Sequence, residues 1–490
     1  MSHLLLYYQR PEPATWVFLS SFLMVSVYFV FHRFFCIRNL DVLLLLSLSP
    51  GLMMVYEGRR MQSGATESVS QQRLADEAGG SERWYAVVFQ GRTPSAGAAS
   101  EQPAERGEDD QVQGGYPAEI SRRAEGERLE FYGFIALLTA CALLLIRMLV
   151  DPALVRRPLL DPNLSIGGLT FIGGALFLFL MANVITSTPE QNATGPRLGP
   201  GYPLLGMLPE LPTTPDKESQ VWPPVAPSQS PWLSNLARAL AIVSNFLIVA
   251  GMVCVGYWHF ANIRTGVGCA VMYLMLPYTA QMTGNLEHTV PAAFLVLSVL
   301  AYRLPMLAGA MLGMAAGLVY YPIFLLPLWF SFYWYRGVSR FSIGLASSIL
   351  VLIGLLFLQG WDALDEHLRQ MFGLWLPRME GLEGIWADGR IPTDFRLPVL
   401  VGCILLSASY AFWPGRKNLG TLMSGTAAIM LAVQFWHGYG GGLYMAWFLP
   451  LTITTMFRPN LDDRIAQNVV RNIRRNGRTA VSANGTAAAA

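Results

Sequence analysis

The sequence has few charged residues. Only 13% of its 490 residues are charged and 53% are hydrophobic, whereas about a quarter of the residues in an ordinary soluble domain are charged. A water-soluble globular enzyme is therefore excluded. The basic residues stand singly or in pairs and the net charge is +2, which excludes the clustered basic face of a protein that binds nucleic acid. The composition indicates a membrane protein.

Cysteine is also scarce, with five residues in the chain. All five lie inside apolar runs, at spacings that form neither a zinc motif nor a disulfide framework. They are predicted to pack as small buried hydrophobic residues: Cys36, Cys141, Cys254, Cys269 and Cys403. The sequence also lacks a P-loop and a dinucleotide-binding fingerprint. It therefore predicts no metal site and no nucleotide cofactor.

Long apolar runs dominate the chain. Runs of about 15 to 23 residues predict about thirteen transmembrane helices, so the expected fold is an all-α polytopic membrane protein. Arginine and lysine near the predicted span ends fall on alternate boundaries. By the positive-inside rule, this pattern predicts an external N-terminus and a cytoplasmic C-terminus. These features are typical of an integral protein of a bacterial inner membrane.

Three long polar loops are predicted on the external side. The acidic first loop cannot bury a core and is expected to be largely disordered, the second is rich in proline and extended, and the third resembles a surface amphipathic helix. The predicted division of the chain is a two-span anchor (1–56), the acidic loop (57–130), a span pair (131–186), the proline-rich loop (187–233), a central membrane core (234–360), the amphipathic loop (361–395), C-terminal spans (396–457) and a basic cytoplasmic tail (458–490).

Ionisable residues are nearly absent from the centres of the predicted spans. This lowers the expectation of an ion-coupled transporter and directs attention to the external surface. Glu57 follows the second predicted span, where a carboxylate beside an apolar wall can act as a general base; alternatively, it only terminates a helix. Asp109 and Asp110 form a second acidic candidate, as a base or metal ligands, although such acidic runs usually just solvate a loop.

Two polar clusters interrupt the apolar runs. In the turn at 281–288, Asn285, Glu287 and His288 supply donors and acceptors suited to sugar hydroxyls or a phosphate. The alternative is a hydrated turn capped by Asn285. The second cluster, 436–442, joins His437 to aromatic residues and a glycine run. Its alternative is a tight turn within the interfacial aromatic belt.

The stretch 284–337 resembles the middle of the polytopic GT-C glycosyltransferases, especially their polyprenol-phosphate-mannose-dependent branch. The resemblance rests on a polar turn, an apolar run that ends in arginine, small-residue pairs and a Tyr-Pro step: Gly284-Asn285, Ala301-Tyr302-Arg303, Ala308-Gly309, Leu312-Gly313 and Tyr321-Pro322. Many relatives carry a lysine just before the Tyr-Pro step, where this chain has Val319 and Tyr320. The usual aspartate of the first external loop is replaced here by Glu57.

The resemblance implies a GT-C-like fold and an inverting transfer of a mannose-like sugar from a polyprenyl-phosphate donor at the outer membrane face. Glu57 would take the proton of the acceptor. Arg396, or else Arg369 and Arg378, would stabilise the departing phosphate. The other predicted substrate-binding residues are Asn285, Glu287, His288 and His437. The lipid-phosphate sugar is a substrate rather than a cofactor. Membrane lipids are the other expected partners, and the sequence predicts no particular protein partner.

Two other functions are compatible with the sequence. A transporter or lipid flippase is the first alternative, because the short segments interrupted near Pro305 and Pro322 are typical of helices that line a substrate path. The second is a non-catalytic membrane scaffold whose acidic and proline-rich loops bind partners outside the cell.

Overall fold

The structure is a computed structural model. It describes residues 11–63, 109–154, 160–189, 201–213, 231–357, 382, 384–387, 391–415, 417–438 and 444–459. Within these ranges the secondary structure is helical and contains no β-strand. The all-α prediction is therefore confirmed for the part of the chain that the structure describes.

Fifteen α-helices are used below. In chain order they are α1 (Pro13–Tyr28), α2 (Ile37–Ser63), α3 (Asp109–Val150), α4 (Ile166–Thr186), α5 (Tyr202–Gly206), α6 (Pro231–Cys254), α7 (Ile263–Met275), α8 (Pro277–Met282), α9 (Leu286–Leu300), α10 (Pro305–Leu318), α11 (Leu326–Tyr333), α12 (Val338–Phe357), α13 (Arg396–Phe412), α14 (Leu419–Trp436) and α15 (Leu449–Phe457).

The described helices are those of an integral membrane protein. Six are long and apolar enough to cross a bilayer, namely α2, α3, α4, α6, α12 and α14, and seven shorter apolar helices of 10–17 residues accompany them. Large side chains project from the outer helices into open space, such as Phe22 of α1 (72% exposed) and Phe171 of α4 (77% exposed). Lipid is the solvent in which such exposure is favourable. The figure of thirteen transmembrane helices stays a prediction.

The chain forms two compact units. The larger consists of residues 1–49, 138–215 and 225–490, and the smaller of 50–137 and 216–224. In the smaller unit, Gly58 lets the backbone of α2 approach that of α3 closely. A Cβ at Gly58 would lie 2.6 Å from the amide nitrogen of Glu130. Arg59 then pairs with Glu130 at 2.9 Å. The predicted base Glu57 belongs to this unit.

Helix α14 lies at the core of the larger unit, and 94% of its most apolar window is buried. Helices α10 and α12 pack against each other through small residues. A Cβ at Gly309 would collide with the carbonyl oxygen of Phe341, and one at Gly344 would collide with that of Met306. Glycine at these positions lets the two backbones approach closely, as is common between membrane helices.

Four charged residues form a buried cluster in the larger unit. Arg147 of α3 binds Asp41 of α2 through two hydrogen bonds of 2.6 and 3.0 Å and also contacts Asp151 at 3.0 Å. The other carboxylate oxygen of Asp151 accepts from Arg458, just beyond α15, at 2.6 Å. We call Asp41, Arg147, Asp151 and Arg458 the buried charge cluster. It joins segments from α2, α3 and the end of α15.

Three boundaries differ from the predictions. The apolar run at 266–283 is long enough to predict a single span, but it forms two helices, since Leu276 is extended (ψ 133°) before Pro277, as the residue before a proline usually is. The loop predicted to be largely disordered, 57–130, is helical up to Ser63 and again from Asp109, because glutamate, arginine, glutamine and alanine are good helix formers; residues 64–108 lie outside the described part of the chain. The proline-rich loop contains the short helix α5 rather than only extended chain.

Some predictions concern residues that the structure does not describe. The structure does not describe segment 84–89, whose aromatic and β-branched residues predict a strand, or most of the third loop and the basic tail. Of the third loop, the structure shows the 3-10 turns Gly384–Trp386 and Thr393–Phe395.

Candidate functional site

The start of helix α9 positions two of the predicted site residues. Asn285 is the N-cap, and its carbonyl oxygen accepts hydrogen bonds from the backbone amides of His288 (3.2 Å) and Thr289 (3.1 Å). Glu287 therefore lies in the first turn, where the helix dipole favours a negative charge. His288 follows it on the next position of the same turn.

The described segment 201–213 lies against this turn. The amide of Gly201 donates to the carbonyl of Gly317 at 2.8 Å, and the hydroxyl of Thr213 donates to the carbonyl of Gln281 at 2.6 Å. Between these anchors the chain passes over Gly284, where a Cβ would collide with the carbonyl oxygen of Leu211. The glycine of the Gly-Asn turn is therefore required for the close approach of segment 201–213.

A cleft with a cavity volume of about 40 Å³ lies between segment 201–213 and the start of α9. Segment 201–213 contributes three apolar residues and Glu210, and the turn contributes the other polar groups. The lining residues are Leu205, Leu208, Pro209, Glu210, Gly284, Asn285, Leu286, Glu287 and His288. The cleft thus contains the three residues of the turn that the sequence analysis selected for sugar or phosphate binding.

The carboxylate of Glu287 is held by neutral donors. The hydroxyl of Tyr202 donates a short hydrogen bond to one oxygen, and the hydroxyl of Tyr444 donates to the other at 3.4 Å. Burial, and then the charge of Glu287, raise the pKa of Tyr202 above its usual range, so Tyr202 keeps its proton. Among the described residues no lysine or arginine forms an ion pair with Glu287. The carboxylate is oriented but not neutralised.

The imidazole of His288 is fixed on two sides. Its Nδ1 atom lies 2.6 Å from the hydroxyl oxygen of Tyr278, and that oxygen accepts a hydrogen bond from the amide of Ala446 at 3.0 Å. The ring also stacks on Tyr444, with centroids 4.3 Å apart. These contacts leave the imidazole little freedom to rotate.

The second predicted cluster joins the first through Tyr444. His437 stacks on Tyr444 and on Tyr321, each with centroids 4.6 Å apart. The guanidinium of Arg396 donates to the carbonyl of Trp436 at 3.3 Å and lies 5.8 Å from the centre of its ring. Both Arg396 and His437 are buried, at 3% and 1% exposure. The rings of His288, Tyr444 and His437 therefore connect the two polar clusters.

Glu57 has a different setting. It lies within α2, which continues to Ser63, so the carboxylate does not terminate the helix. It is half-exposed and pairs with Arg60, one turn further on, at 3.2 Å. Its role as the base stays a prediction.

The remaining sequence candidates stay untested. Asp109 and Asp110 begin α3, but their side chains lie outside the described part of the structure. Arg369 and Arg378 lie outside the described residues. Within the described ranges, no three histidine, cysteine or acidic side chains are placed to hold a metal ion.

Comparisons were made with protein-family models, curated proteins and solved structures. None of them matches this chain. The candidate site therefore rests on its own geometry.

Four residues that orient the site were not predicted from the sequence, namely Tyr202, Tyr278, Tyr444 and Trp447. Trp447 donates from its indole nitrogen to the main-chain oxygen of Glu287 at 3.1 Å. Tyr202 is 85 residues from Glu287 in the chain and Tyr444 is 157 residues from it, so no local pattern pairs them. One signal in the sequence could have indicated them. All four are aromatic residues with a polar atom in largely apolar segments, and such polar atoms usually form hydrogen bonds when buried.

Proposed function

We propose that the protein is a membrane glycosyltransferase that moves a mannose-like sugar from a polyprenyl-phosphate donor to a hydroxyl acceptor by inverting transfer. One observation carries this proposal: Glu287 is held by two tyrosine hydroxyls beside His288 in a cleft whose other wall is mainly apolar, with Leu205, Leu208 and Pro209. Carboxylate and imidazole groups bind sugar hydroxyls. An apolar wall is suited to the less polar face of a sugar or to a lipid chain.

The proposed reaction uses a leaving group that the donor already carries. The acceptor oxygen gives its proton to a carboxylate base and forms a bond to the anomeric carbon. The bond from that carbon to the phosphate oxygen breaks, and its electron pair stays with the lipid phosphate. Such a reaction depends on positioning, one base and a positive charge near the phosphate. Glu57 is the proposed base and Arg396 the proposed phosphate partner.

The test is transfer of labelled mannose by the purified full-length protein in lipid nanodiscs. The donor is mannosyl polyprenyl phosphate, and the acceptors are octyl α-mannoside and a membrane lipid extract. We expect labelled product with the wild type and a rate about 10²- to 10⁴-fold lower for Glu57→Gln, the range for removal of a general base. The initial rate is the measurement.

Glu127→Gln is the matched control. Glu127 and Glu57 are both in half-exposed pairs with an arginine on the same helix, at 3.4 and 3.2 Å, so the two variants lose a similar surface interaction. An equal rate for Glu57→Gln and Glu127→Gln would remove Glu57 from the mechanism. No product from the wild type with any acceptor would overturn the glycosyltransferase proposal.

A lipid flippase is the second proposal, and the interrupted helices favour it. Helices α7 and α8 are separated at Leu276, and the 3-10 turn Tyr321–Leu325 precedes α11. Interrupted helices line the substrate paths of many transporters. Proteoliposomes with a fluorescent polyprenyl phosphate distinguish the two functions, because a flippase moves the lipid between leaflets without forming a glycosylated product.

A further inference from the structure

A chain of hydrogen bonds runs from the amide of Ala446 through the hydroxyl of Tyr278 to His288, which lines the cleft. The oxygen of Tyr278 accepts from the amide of Ala446, and its hydroxyl lies against Nδ1 of His288 at 2.6 Å. Tyr278 is 1% exposed. A buried hydroxyl that donated to nothing would leave its proton unsatisfied. Nδ1 is the acceptor in reach, so the tyrosine donates to it.

This direction fixes the tautomer of His288. A neutral imidazole carries one proton, and the nitrogen that accepts a hydrogen bond is the one without it. The proton of His288 is therefore on Nε2, on the opposite side of the ring from Tyr278. His288 lines the cleft, and the only hydrogen bond of its ring among the described residues is at Nδ1, so Nε2–H is the donor that the ring can offer a ligand.

Glu287 supplies the opposite polarity beside it. Its carboxylate only accepts hydrogen bonds, and its described contacts are with hydroxyls rather than cations. An anionic group would meet the negative charge of Glu287 here, whereas an alcohol can donate to Glu287 and accept from His288 at once.

We infer that the cleft binds an uncharged, hydroxyl-bearing group through a fixed pair, with His288 Nε2–H as donor and the Glu287 carboxylate as acceptor. Tyr278 is the positioning residue that fixes the donor. The inference deepens the proposed glycosyltransferase function, on which it rests for the identity of the hydroxyl-bearing group as a sugar. It also assigns phosphate recognition to a place other than this cleft.

The tautomer is measured by ¹⁵N NMR of the full-length protein in nanodiscs with labelled histidine. The chain has six histidines, and the spectrum of His288→Gln identifies the signals of His288. We expect the Nε2–H form in the wild type and a mixture of tautomers in Tyr278→Phe. Tyr333→Phe is the matched control, because Tyr333 is also buried and donates one hydrogen bond, at 2.6 Å to the carbonyl of Tyr302.

Ligand class is measured by saturation-transfer NMR with three sugars of different charge: methyl α-mannopyranoside, mannose 6-phosphate and glucosamine. We expect the wild type to bind the neutral sugar more tightly than either charged sugar. Tyr278→Phe and Glu287→Gln should each weaken the neutral sugar about tenfold, as for the loss of one hydrogen bond. Tyr333→Phe should bind it as the wild type does.

Two results would overturn the inference, namely an Nδ1–H tautomer in the wild type and preferred binding of mannose 6-phosphate or glucosamine. Both measurements use the wild type, so they decide the matter even if Tyr278→Phe does not fold. They are also independent of transfer. Failure of transfer with the expected tautomer and neutral-sugar binding would count against the proposed function alone, and transfer with the opposite tautomer would count against this inference alone.

Discussion

The buried charge cluster and the cleft use acidic residues in opposite ways. In the cluster, Asp151 contacts two guanidinium groups, at 3.0 Å from Arg147 and 2.6 Å from Arg458. In the cleft, Glu287 is held by tyrosine hydroxyls. In the cluster the opposite charges neutralise each other, so they offer a ligand no charged partner. A carboxylate held by neutral hydroxyls keeps its charge available to a ligand.

The two arrangements also differ in what they cost when they are broken. Taking charges out of water is unfavourable, and a buried ion pair offsets this only with good geometry. The two-point contact of Arg147 with Asp41 provides such geometry, since paired charge-assisted bonds are among the strongest. Removal of one member leaves the others buried without compensation. The cluster should therefore determine stability, and the cleft should determine binding.

The largest effect is expected from Asp151→Asn. This change leaves the positive charges of Arg147 and Arg458 without a shared carboxylate, and breaking a buried pair costs about 3–5 kcal/mol. The free energy of unfolding in detergent and the midpoint of thermal unfolding measure it. Glu127→Gln removes an exposed pair and should cost about 0–1 kcal/mol. If Asp151→Asn lowers the free energy of unfolding no more than Glu127→Gln does, the buried charge cluster does not determine stability.

A smaller effect is expected from Tyr202→Phe. This change removes a hydrogen bond to a charged group, which contributes about 1.5–3 kcal/mol. Tyr444→Phe is the matched variant, and its effect should be smaller because its hydroxyl lies 3.4 Å from the carboxylate. Thermal unfolding and methyl mannoside binding measure both variants. Equal effects would show that the two hydroxyls contribute alike to holding Glu287.

The smallest effect on the free energy of unfolding is expected from Gly284→Ala. The added Cβ meets the carbonyl of Leu211, and such overpacking costs about 1–3 kcal/mol. We expect segment 201–213 to move away from the turn, with faster hydrogen exchange there. Gly206→Ala is the control in the same segment, because a Cβ at Gly206 meets nothing within 4 Å. Equal exchange in the two variants would show that the close approach at Gly284 is not required.

The sequence predicted some parts of the site and not others. It selected Asn285, Glu287 and His288, because a polar turn between apolar runs is visible in any hydropathy profile. It also selected Arg396 and His437, but it did not predict that Tyr444 connects them to the turn. Arg147 is one of the basic residues at alternate span ends, which mark the cytoplasmic side; its pairing with Asp41, 106 residues away in the chain, was not predicted.

Helix boundaries show the same limit. The sequence favoured one span across Leu276, although Pro277 was a visible signal for a break. The lengths of α2 and α3 beyond their apolar parts were not predicted, because polar segments of high helix propensity become stable helices only when other contacts support them. In the smaller unit that support includes the contacts of Arg59 and Gln62 with Glu130 at 2.9 and 2.7 Å.

By itself, the sequence determined that the chain is helical and apolar enough for a membrane, and where its polar turns interrupt the apolar runs. Hydropathy and helix propensity depend on residues that are neighbours in the chain, so they can be predicted from the sequence. The tyrosines that hold Glu287 and the carboxylates that pair with Arg147 and Arg458 are known only from the packed helices. Those partners come from distant segments, and packing of the helices is what brings them within hydrogen-bonding distance.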